Sequence, residues 1–187
     1  MRVAWAIQGI GYLLLGIVIY IAVKDTNPSS PEVAQTTPMN NPLVLRSPAF
    51  GDSQPIPSKY TCDGEDMSPP IAIEQIPKGA TSLVLIVEDP DAPNGTWDHW
   101  VVFNIPPATT RIAEGEPPAG VQGRSSWNKT TYGGPCPPDG KHRYVFKVYA
   151  LDSLLRLSDQ ATKADVLEMM KGHILTTGEL TGTYTRL

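Results

Sequence analysis

Residues that commonly bind metals are scarce in this sequence, which has two cysteines and three histidines among 187 residues. The histidines are far apart in the chain, and no pair of candidate ligands has the close spacing that is typical of a zinc site. A glycine-rich phosphate-binding loop that carries a lysine is also absent. The sequence therefore predicts neither a bound metal nor a cofactor, with zinc as a minor alternative.

An excess of positive charge is lacking as well. The chain has 15 lysines and arginines against 19 aspartates and glutamates, which gives a formal net charge of -4. The basic residues are scattered and do not form the stripe that binds a phosphate backbone. We therefore expect no nucleic-acid partner. Long helices are expected to be few because of the 19 prolines, and the 41% of hydrophobic residues is enough for one core.

One long apolar run, residues 4–23, is broken only by Gln8 and is about as long as the roughly 20 residues that a membrane helix needs. Arg2 precedes the run, whereas the charges that follow it cancel, so we expect a cytoplasmic N-terminus. An uncleaved anchor is favoured over a signal peptide, because the run is long and no clean cleavage site follows Ala22. Residues 1–24 are therefore predicted to be a membrane anchor, with a signal peptide as the alternative.

The next segment, residues 25–42, is rich in Pro, Ser, Thr and Asn and has almost nothing to bury. It is predicted to be a linker. Residues 43–187 have the composition of a folded domain. With the anchor in place, this domain is expected outside the cytoplasm, on the periplasmic or extracellular side of the cell membrane.

Apolar residues in this domain mostly alternate with a period of two, which predicts β-strands. The three strongest runs are "SLVLIVEDP", "HWVVFNIPP" and "HRYVFKVYALD", and two shorter runs are "LVLRSPAF" and "LTGTYTRL". In the third run, one face is formed by Tyr144, Phe146, Val148 and Ala150. The opposite face is formed by Arg143, Lys147 and Tyr149. The pattern predicts a mainly antiparallel β domain with one or two short helices.

One helix is predicted after Thr162, which forms a capping box with Asp165. It is expected to end near Gly172. Its apolar stripe is formed by Val166, Leu167 and Met170. His173 lies at the predicted helix end, where an imidazolium would interact with the helix dipole, so we interpret it as structural.

Polar residues cluster where the three strongest strands begin or end. Asp89 and Asp91 follow the first strand, His99 opens the second, and His142 opens the third. A hairpin-like return would bring these groups to one rim. The glycines in "YGGPCPPDGK" would let the backbone approach a ligand closely.

Such a rim suits a small anion, because imidazole and backbone N–H groups are donors. A nearby aspartate would fix the tautomer of a histidine and raise its pKa. Aspartates alone would repel an anion, so at least one needs a partner. Arg143 is our candidate, since a guanidinium can bind a carboxylate with two hydrogen bonds.

Each of these residues also has a structural interpretation. Asp89 and Asp91 are common turn formers, and a single histidine such as His99 is more often a hydrogen-bonded structural residue than a ligand-binding one. Strand alternation places one of Trp97 and Trp100 inward and the other outward, so only Trp97 is a reasonable pocket wall.

Several ordered motifs resemble one known family. They are "YTCDGEDMSPP", "DPDAP", "WDHW", "VQGRSSWNKTTYGGP", "GPCPPDGKHRY", "KVYALD" and "GHILTTGELTGTY". Together they are similar to the phosphatidylethanolamine-binding protein family, in its bacterial and archaeal Raf-kinase-inhibitor-like branch. The resemblance runs from about Leu43 to the C-terminus, and several motifs in order are far more specific than one.

The resemblance implies a mainly β fold, with a large central antiparallel sheet packed on a smaller sheet, a few short flanking helices and an anion pocket. Asp91 would be a support position within "DPDAP". The residues that would line the pocket are Asp89, Pro93, Trp97, His99, Gly134, His142 and Tyr144.

The two cysteines, Cys62 and Cys136, form an even count in a domain expected outside the cytoplasm, which favours a disulfide between them. Two buried free thiols are the alternative if the topology prediction is wrong.

Binding is favoured over catalysis, because no nucleophile lies in a recognisable elbow motif. We expect a membrane-tethered, extracytoplasmic protein that binds a small anion or a phospholipid head group and modulates or inhibits a protein partner such as a kinase or protease. One alternative is a hydrolase or lipid-processing enzyme that uses His99 with Asp89. Another is an inhibitor that acts through a surface loop.

Overall fold

A computed structural model describes residues 42–186. These residues form two β-sheets, one α-helix and one 3-10 helix at Ser58–Tyr60. The elements in chain order are β1 (Val44–Arg46), β2 (Gln54–Pro55), β3 (Ile71–Glu74), β4 (Ser82–Asp89), β5 (Trp97–Ile105), β6 (Arg111–Ile112), β7 (Val121–Gln122), β8 (Lys141–Leu151), α1 (Lys163–Met169) and β9 (Ile174–Thr185).

The larger sheet has six strands in the order β2-β9-β8-β4-β5-β7, and the smaller sheet has three in the order β1-β3-β6. All neighbouring strands are antiparallel except the short edge pair of β2 and β9. The predicted fold class, a large sheet packed on a smaller one, is confirmed. The last strand is longer than predicted, because β9 begins at Ile174 and pairs along β8 for its whole length.

The central strand β4 has a continuous apolar run from Leu83 to Val87, and both of its faces are buried. Leu83, Leu85 and Val87 join the core between the two sheets. Val84 and Ile86 join a second core on the opposite face. In β8 the predicted alternation is confirmed, and the face with Tyr144, Phe146, Val148 and Ala150 is fully buried.

Helix α1 covers the second core with Val166 and Met170, which are four residues apart and therefore share one face. The predicted capping box is confirmed, since the Asp165 N–H donates to Thr162 Oγ1 and the Thr162 N–H donates to an Asp165 carboxylate oxygen. The predicted apolar stripe is wrong at Leu167, which is 38% exposed because such a short helix presents only one narrow face to the sheet.

The role predicted for His173 also needs correction. Its Nδ1 atom lies 2.8 Å from a carboxylate oxygen of Asp152, and both side chains are about half exposed. The imidazole therefore contacts a loop carboxylate and not the helix end.

Within residues 42–186, no helix is long and apolar enough to cross a membrane. The predicted anchor, residues 1–24, and all of the predicted linker except Pro42 lie outside the described residues. Both stay predictions.

Candidate functional site

The predicted rim forms where β4 ends and β5 and β8 begin. Antiparallel pairing places Asp89 opposite Trp97 and Glu88 opposite Val145. A cavity of about 410 Å³ opens beside this rim. Strand ends thus bring together residues that are distant in the chain, as predicted.

Five of the predicted site residues line this cavity: Asp89, Pro93, Trp97, His99 and Gly134. The other three, Asp91, His142 and Tyr144, are not among the lining residues. Placement does not test ligand binding, so the binding role of all eight stays a prediction.

Asp89 is almost fully buried and is held on both carboxylate oxygens. Its Oδ1 accepts a hydrogen bond from the Asp91 N–H at 2.8 Å, and its Oδ2 accepts one from His142 Nδ1 at 2.7 Å. His142 therefore lies behind Asp89 and does not line the cavity with His99. The prediction that the two histidines share one rim is wrong. His142 lines a separate shallow cleft together with Lys141 and Arg143. Side chains alternate along β8, so His142 points to the buried face of the strand and its neighbours Lys141 and Arg143 are exposed.

Asp91 lies outside the cavity and binds Arg143, as predicted. The guanidinium donates from Nε at 2.9 Å and from Nη2 at 2.7 Å, and the Arg143 backbone N–H donates to the same carboxylate. These hydrogen bonds outweigh the small effect of burial and lower the pKa of Asp91 to about 2. Asp91 therefore connects the turn that follows β4 to Arg143 at the start of β8.

His99 is 2% exposed, and its Nδ1 lies 2.8 Å from the Gly133 carbonyl oxygen. Since a carbonyl oxygen only accepts hydrogen bonds, Nδ1 carries the proton. Nε2 is then the unprotonated nitrogen of the neutral ring. Burial lowers the pKa of His99, although Gly133 and the Asp89 carboxylate act in the opposite direction. The Asp89 carboxylate therefore acts in the expected direction, but burial disfavours the charged ring more strongly.

Aromatic rings form one side of the cavity. Trp127 packs edge-on against Trp97 at 5.5 Å and against His99 at 4.8 Å between ring centroids. Trp100 is buried in the core and donates its indole N–H to Gln122. The assignment of Trp97 to the pocket wall and Trp100 to the core is therefore confirmed.

Two donors near this rim, one of them outside the cavity lining, are buried and have no hydrogen-bond partner among the described residues. They are the indole N–H of Trp97 and the hydroxyl of Tyr144. The Tyr144 ring packs edge-on against His99 at 5.2 Å. Burial raises the pKa of the Tyr144 phenol most, and the Asp89 carboxylate raises it further, but no hydrogen bond of normal geometry joins the two groups.

The lining residues that sequence reasoning missed include four with charged or aromatic side chains, which are Asp66, Trp127, Lys129 and Tyr132. All four lie in loops, where no periodicity indicates which side chain faces a cavity. The quoted motifs "YTCDGEDMSPP" and "VQGRSSWNKTTYGGP" contain them and were the only available signal. Among the described lining residues the carboxylates are Asp66 and Asp89, and the cation is Lys129.

The predicted disulfide between Cys62 and Cys136 is confirmed, with Cα atoms 5.4 Å apart. Both cysteines line the cavity. The bond joins the loop after the 3-10 helix to the loop before β8.

No group of three or more His, Cys, Asp or Glu side chains among residues 42–186 has an arrangement that could hold a metal ion.

Comparison with known proteins identifies the family. Residues 46–185 match the family model described as phosphatidylethanolamine-binding protein. A UPF0098 protein of Methanothermobacter thermautotrophicus is 51% identical over 150 residues, which is 77% of this chain and 99% of that protein. A UPF0098 protein of Chlamydia trachomatis is 48% identical over 149 residues, with the same two shares.

Two crystal structures have the same fold. A phosphatidylethanolamine-binding protein homologue from Chlamydia trachomatis has a TM-score of 0.76 and 47% identity, covering 79% of this chain and 99% of its own. E. coli YbcL, described as a member of the mammalian family, has a TM-score of 0.73 and 30% identity, covering 78% and 99%. The chain therefore belongs to the phosphatidylethanolamine-binding protein family.

Proposed function

We propose that the cavity beside β5 binds a ligand with an anionic group, such as a phosphate, a carboxylate or a phospholipid head group. The observation that carries this proposal is the lining of the cavity, which combines Lys129 with two carboxylates and with the rings of Trp97, Trp127 and His99. A concave site with aromatic walls and a few charged groups is typical of a site for a small ligand.

The charges of the cavity favour a ligand that carries both signs. Asp66 and Asp89 outnumber Lys129 among the described lining residues, so a simple anion would meet a net negative wall. A phosphate near Lys129 combined with an ammonium near Asp66 matches these charges better. The faces of Trp97 and Trp127 would add cation–π attraction for the ammonium.

A phosphoethanolamine head group has this chemistry, and the family to which the chain belongs is named for binding phosphatidylethanolamine. The apolar run of residues 4–23 supports a membrane tether with the domain outside the cytoplasm. A kinase or protease partner would sense the ligand at the cavity mouth, where Trp127 is 38% exposed.

The enzymatic alternative needs a hydrogen bond between Asp89 and His99. The hydrogen bonds of the two side chains go elsewhere, from His142 to Asp89 and from His99 to the Gly133 carbonyl. This geometry favours binding over general-base catalysis.

Calorimetric titration of the full chain in phosphate-free buffer with a non-ionic detergent tests the proposal. The three probes are O-phosphoethanolamine, inorganic phosphate and ethanolamine. We expect O-phosphoethanolamine to bind most tightly, because it alone supplies both charges. If inorganic phosphate binds as tightly as O-phosphoethanolamine, the proposal that the ligand carries both charges is rejected. If none of the three probes binds, the proposed function is rejected.

The variant Lys129→Met removes the cation of the described lining residues and keeps a side chain of similar length. We expect it to weaken O-phosphoethanolamine binding by about tenfold, the loss of roughly one hydrogen bond to a charged group. Lys171→Met is the matched control, since Lys171 is exposed just after α1, pairs with Glu168 and does not line the cavity. An equal loss in both variants would show that the effect does not come from the cavity.

A further inference from the structure

One wall of the cavity consists of two segments without helix or strand, residues 61–70 and 131–140. Sheet hydrogen bonds therefore do not hold these segments together. Two hydrogen bonds join them, from Cys62 N–H to the Pro135 carbonyl at 3.1 Å and from Gly134 N–H to Asp66 at 2.6 Å, and the Cys62–Cys136 disulfide is the covalent connection. Next to them, the Tyr132 hydroxyl donates to the Tyr60 carbonyl at 3.0 Å.

The two segments touch so closely that only a glycine fits at one point. A Cβ atom on Gly134 would lie 2.5 Å from the Tyr60 carbonyl oxygen and 2.8 Å from Thr61 Cα. A small separation of the segments would therefore change the shape of the cavity wall. It would also disturb the hydrogen bond from Gly134 to Asp66, since both groups lie in this wall.

The second segment also positions His99. The Gly133 N–H donates to the His99 carbonyl at 3.3 Å, and the Gly133 carbonyl accepts from His99 Nδ1 at 2.8 Å. Gly133 is three residues before Cys136 in the chain. The disulfide is therefore close in the chain to the Gly133 carbonyl, which fixes the tautomer of His99.

The disulfide can be reached from solvent. Cys136 is exposed, Cys62 is partly exposed, and both line the open cavity. Access of a thiolate to the sulfur is a condition for thiol–disulfide exchange. Many structural disulfides are buried in a core, whereas this one forms part of the proposed binding surface.

We propose that the Cys62–Cys136 disulfide controls ligand binding by its redox state. The cavity binds its ligand tightly only while the disulfide is intact. A dithiol reductant supplies two electrons and two protons, the S–S bond becomes two thiols, and the dithiol is oxidised to its own disulfide. The 131–140 segment then separates from the 61–70 segment, and His99 loses its fixed acceptor. This inference rests on the proposed function, because it concerns the same ligand.

The test compares oxidised and reduced full-length protein in non-ionic detergent. Dithiothreitol is the reductant, because it is uncharged and does not compete for a charged pocket. Calorimetry gives the affinity for O-phosphoethanolamine, and amide hydrogen exchange is followed at Tyr132, Gly133 and Gly134. The double variant Cys62→Ser/Cys136→Ser is the control, since it has no bond to reduce.

We expect reduction to speed exchange at these amides and to weaken O-phosphoethanolamine binding by about tenfold, because a preorganised wall is lost. The double variant should bind as weakly as the reduced protein and show no response to dithiothreitol. If it does not fold, the comparison of oxidised and reduced wild type is sufficient.

The inference is overturned if the disulfide is fully reduced while the affinity for O-phosphoethanolamine and the amide exchange rates stay unchanged. If the oxidised protein binds no O-phosphoethanolamine, the proposed function fails by itself. In that case the exchange rates still decide whether the disulfide holds the cavity wall, so the two failures are distinguishable.

Discussion

The Asp89 carboxylate and the His142 imidazole form a buried pair, with Oδ2 and Nδ1 2.7 Å apart and side chains 5% and 8% exposed. A second Asp–His pair, Asp152 with His173, has nearly the same separation, 2.8 Å, but lies at the surface with both side chains about half exposed. The chain thus contains the same chemical contact in two environments.

Asp89→Ala is expected to lower the free energy of unfolding by about 3 kcal/mol, because the His142 and Asp91 N–H groups both lose their acceptor and each buried loss costs about 1–3 kcal/mol. Asp152→Ala should cost less than about 1 kcal/mol, as exposed ion pairs do. Urea denaturation measures both. Asp89→Asn, which retains an acceptor, should fall between them, and similar losses for Asp89→Ala and Asp152→Ala would contradict the importance of burial.

Tyr144→Phe is expected to raise the stability of the ligand-free protein by about 1 kcal/mol, because it removes a buried hydroxyl without a partner among the described residues. Thermal unfolding without ligand measures the effect. A destabilised Tyr144→Phe protein would mean that the hydroxyl is already satisfied.

Stability is expected to fall as the pH is lowered from about 6.5, because burial places the folded-state pKa of His99 below its ordinary value of 6.5. In this range the unfolded chain binds a proton that the folded protein does not, so unfolding is favoured. His99→Asn, whose amide can still donate to Gly133, should remove this loss between pH 6.5 and 5. His173→Asn is the control, and if it has the same effect, the pH dependence does not originate at His99.

Loss of the disulfide is expected to lower the free energy of unfolding by about 2–4 kcal/mol, because the bond closes a long loop, with its two cysteines 74 residues apart in the chain. Denaturation of the Cys62→Ser/Cys136→Ser protein and of reduced wild type should give the same value. A difference between the two would indicate that the serines themselves disturb the cavity wall.

The sequence predicted the parts of this protein that depend on local pattern. The alternation in β8 identified its buried face, and Thr162 with Asp165 marked the start of α1 correctly. The ends of β4, β5 and β8 indicated the rim, because antiparallel neighbours must meet there. The motif resemblance added the arrangement of two packed sheets and five of the residues that line the cavity.

Sequence patterns could not place His142 behind Asp89, since a strand pattern does not say what a side chain contacts across the sheet. They also missed Trp127 and Lys129, which lie in a loop without periodicity. Nor could they indicate that burial outweighs the nearby carboxylates and lowers the pKa of His99, because burial is a property of the assembled site.

The positions of the main strands, the capping of the described α-helix and the pairing of the two cysteines were thus determined by the sequence, because each follows from short-range pattern or from a small number of combinations. The cavity was decided by tertiary structure. Its wall depends on contacts such as Gly134 to Asp66, between residues 68 positions apart. Its chemistry depends on how deeply His99, Tyr144 and Trp97 are buried, and burial arises only when the sheets and loops pack together.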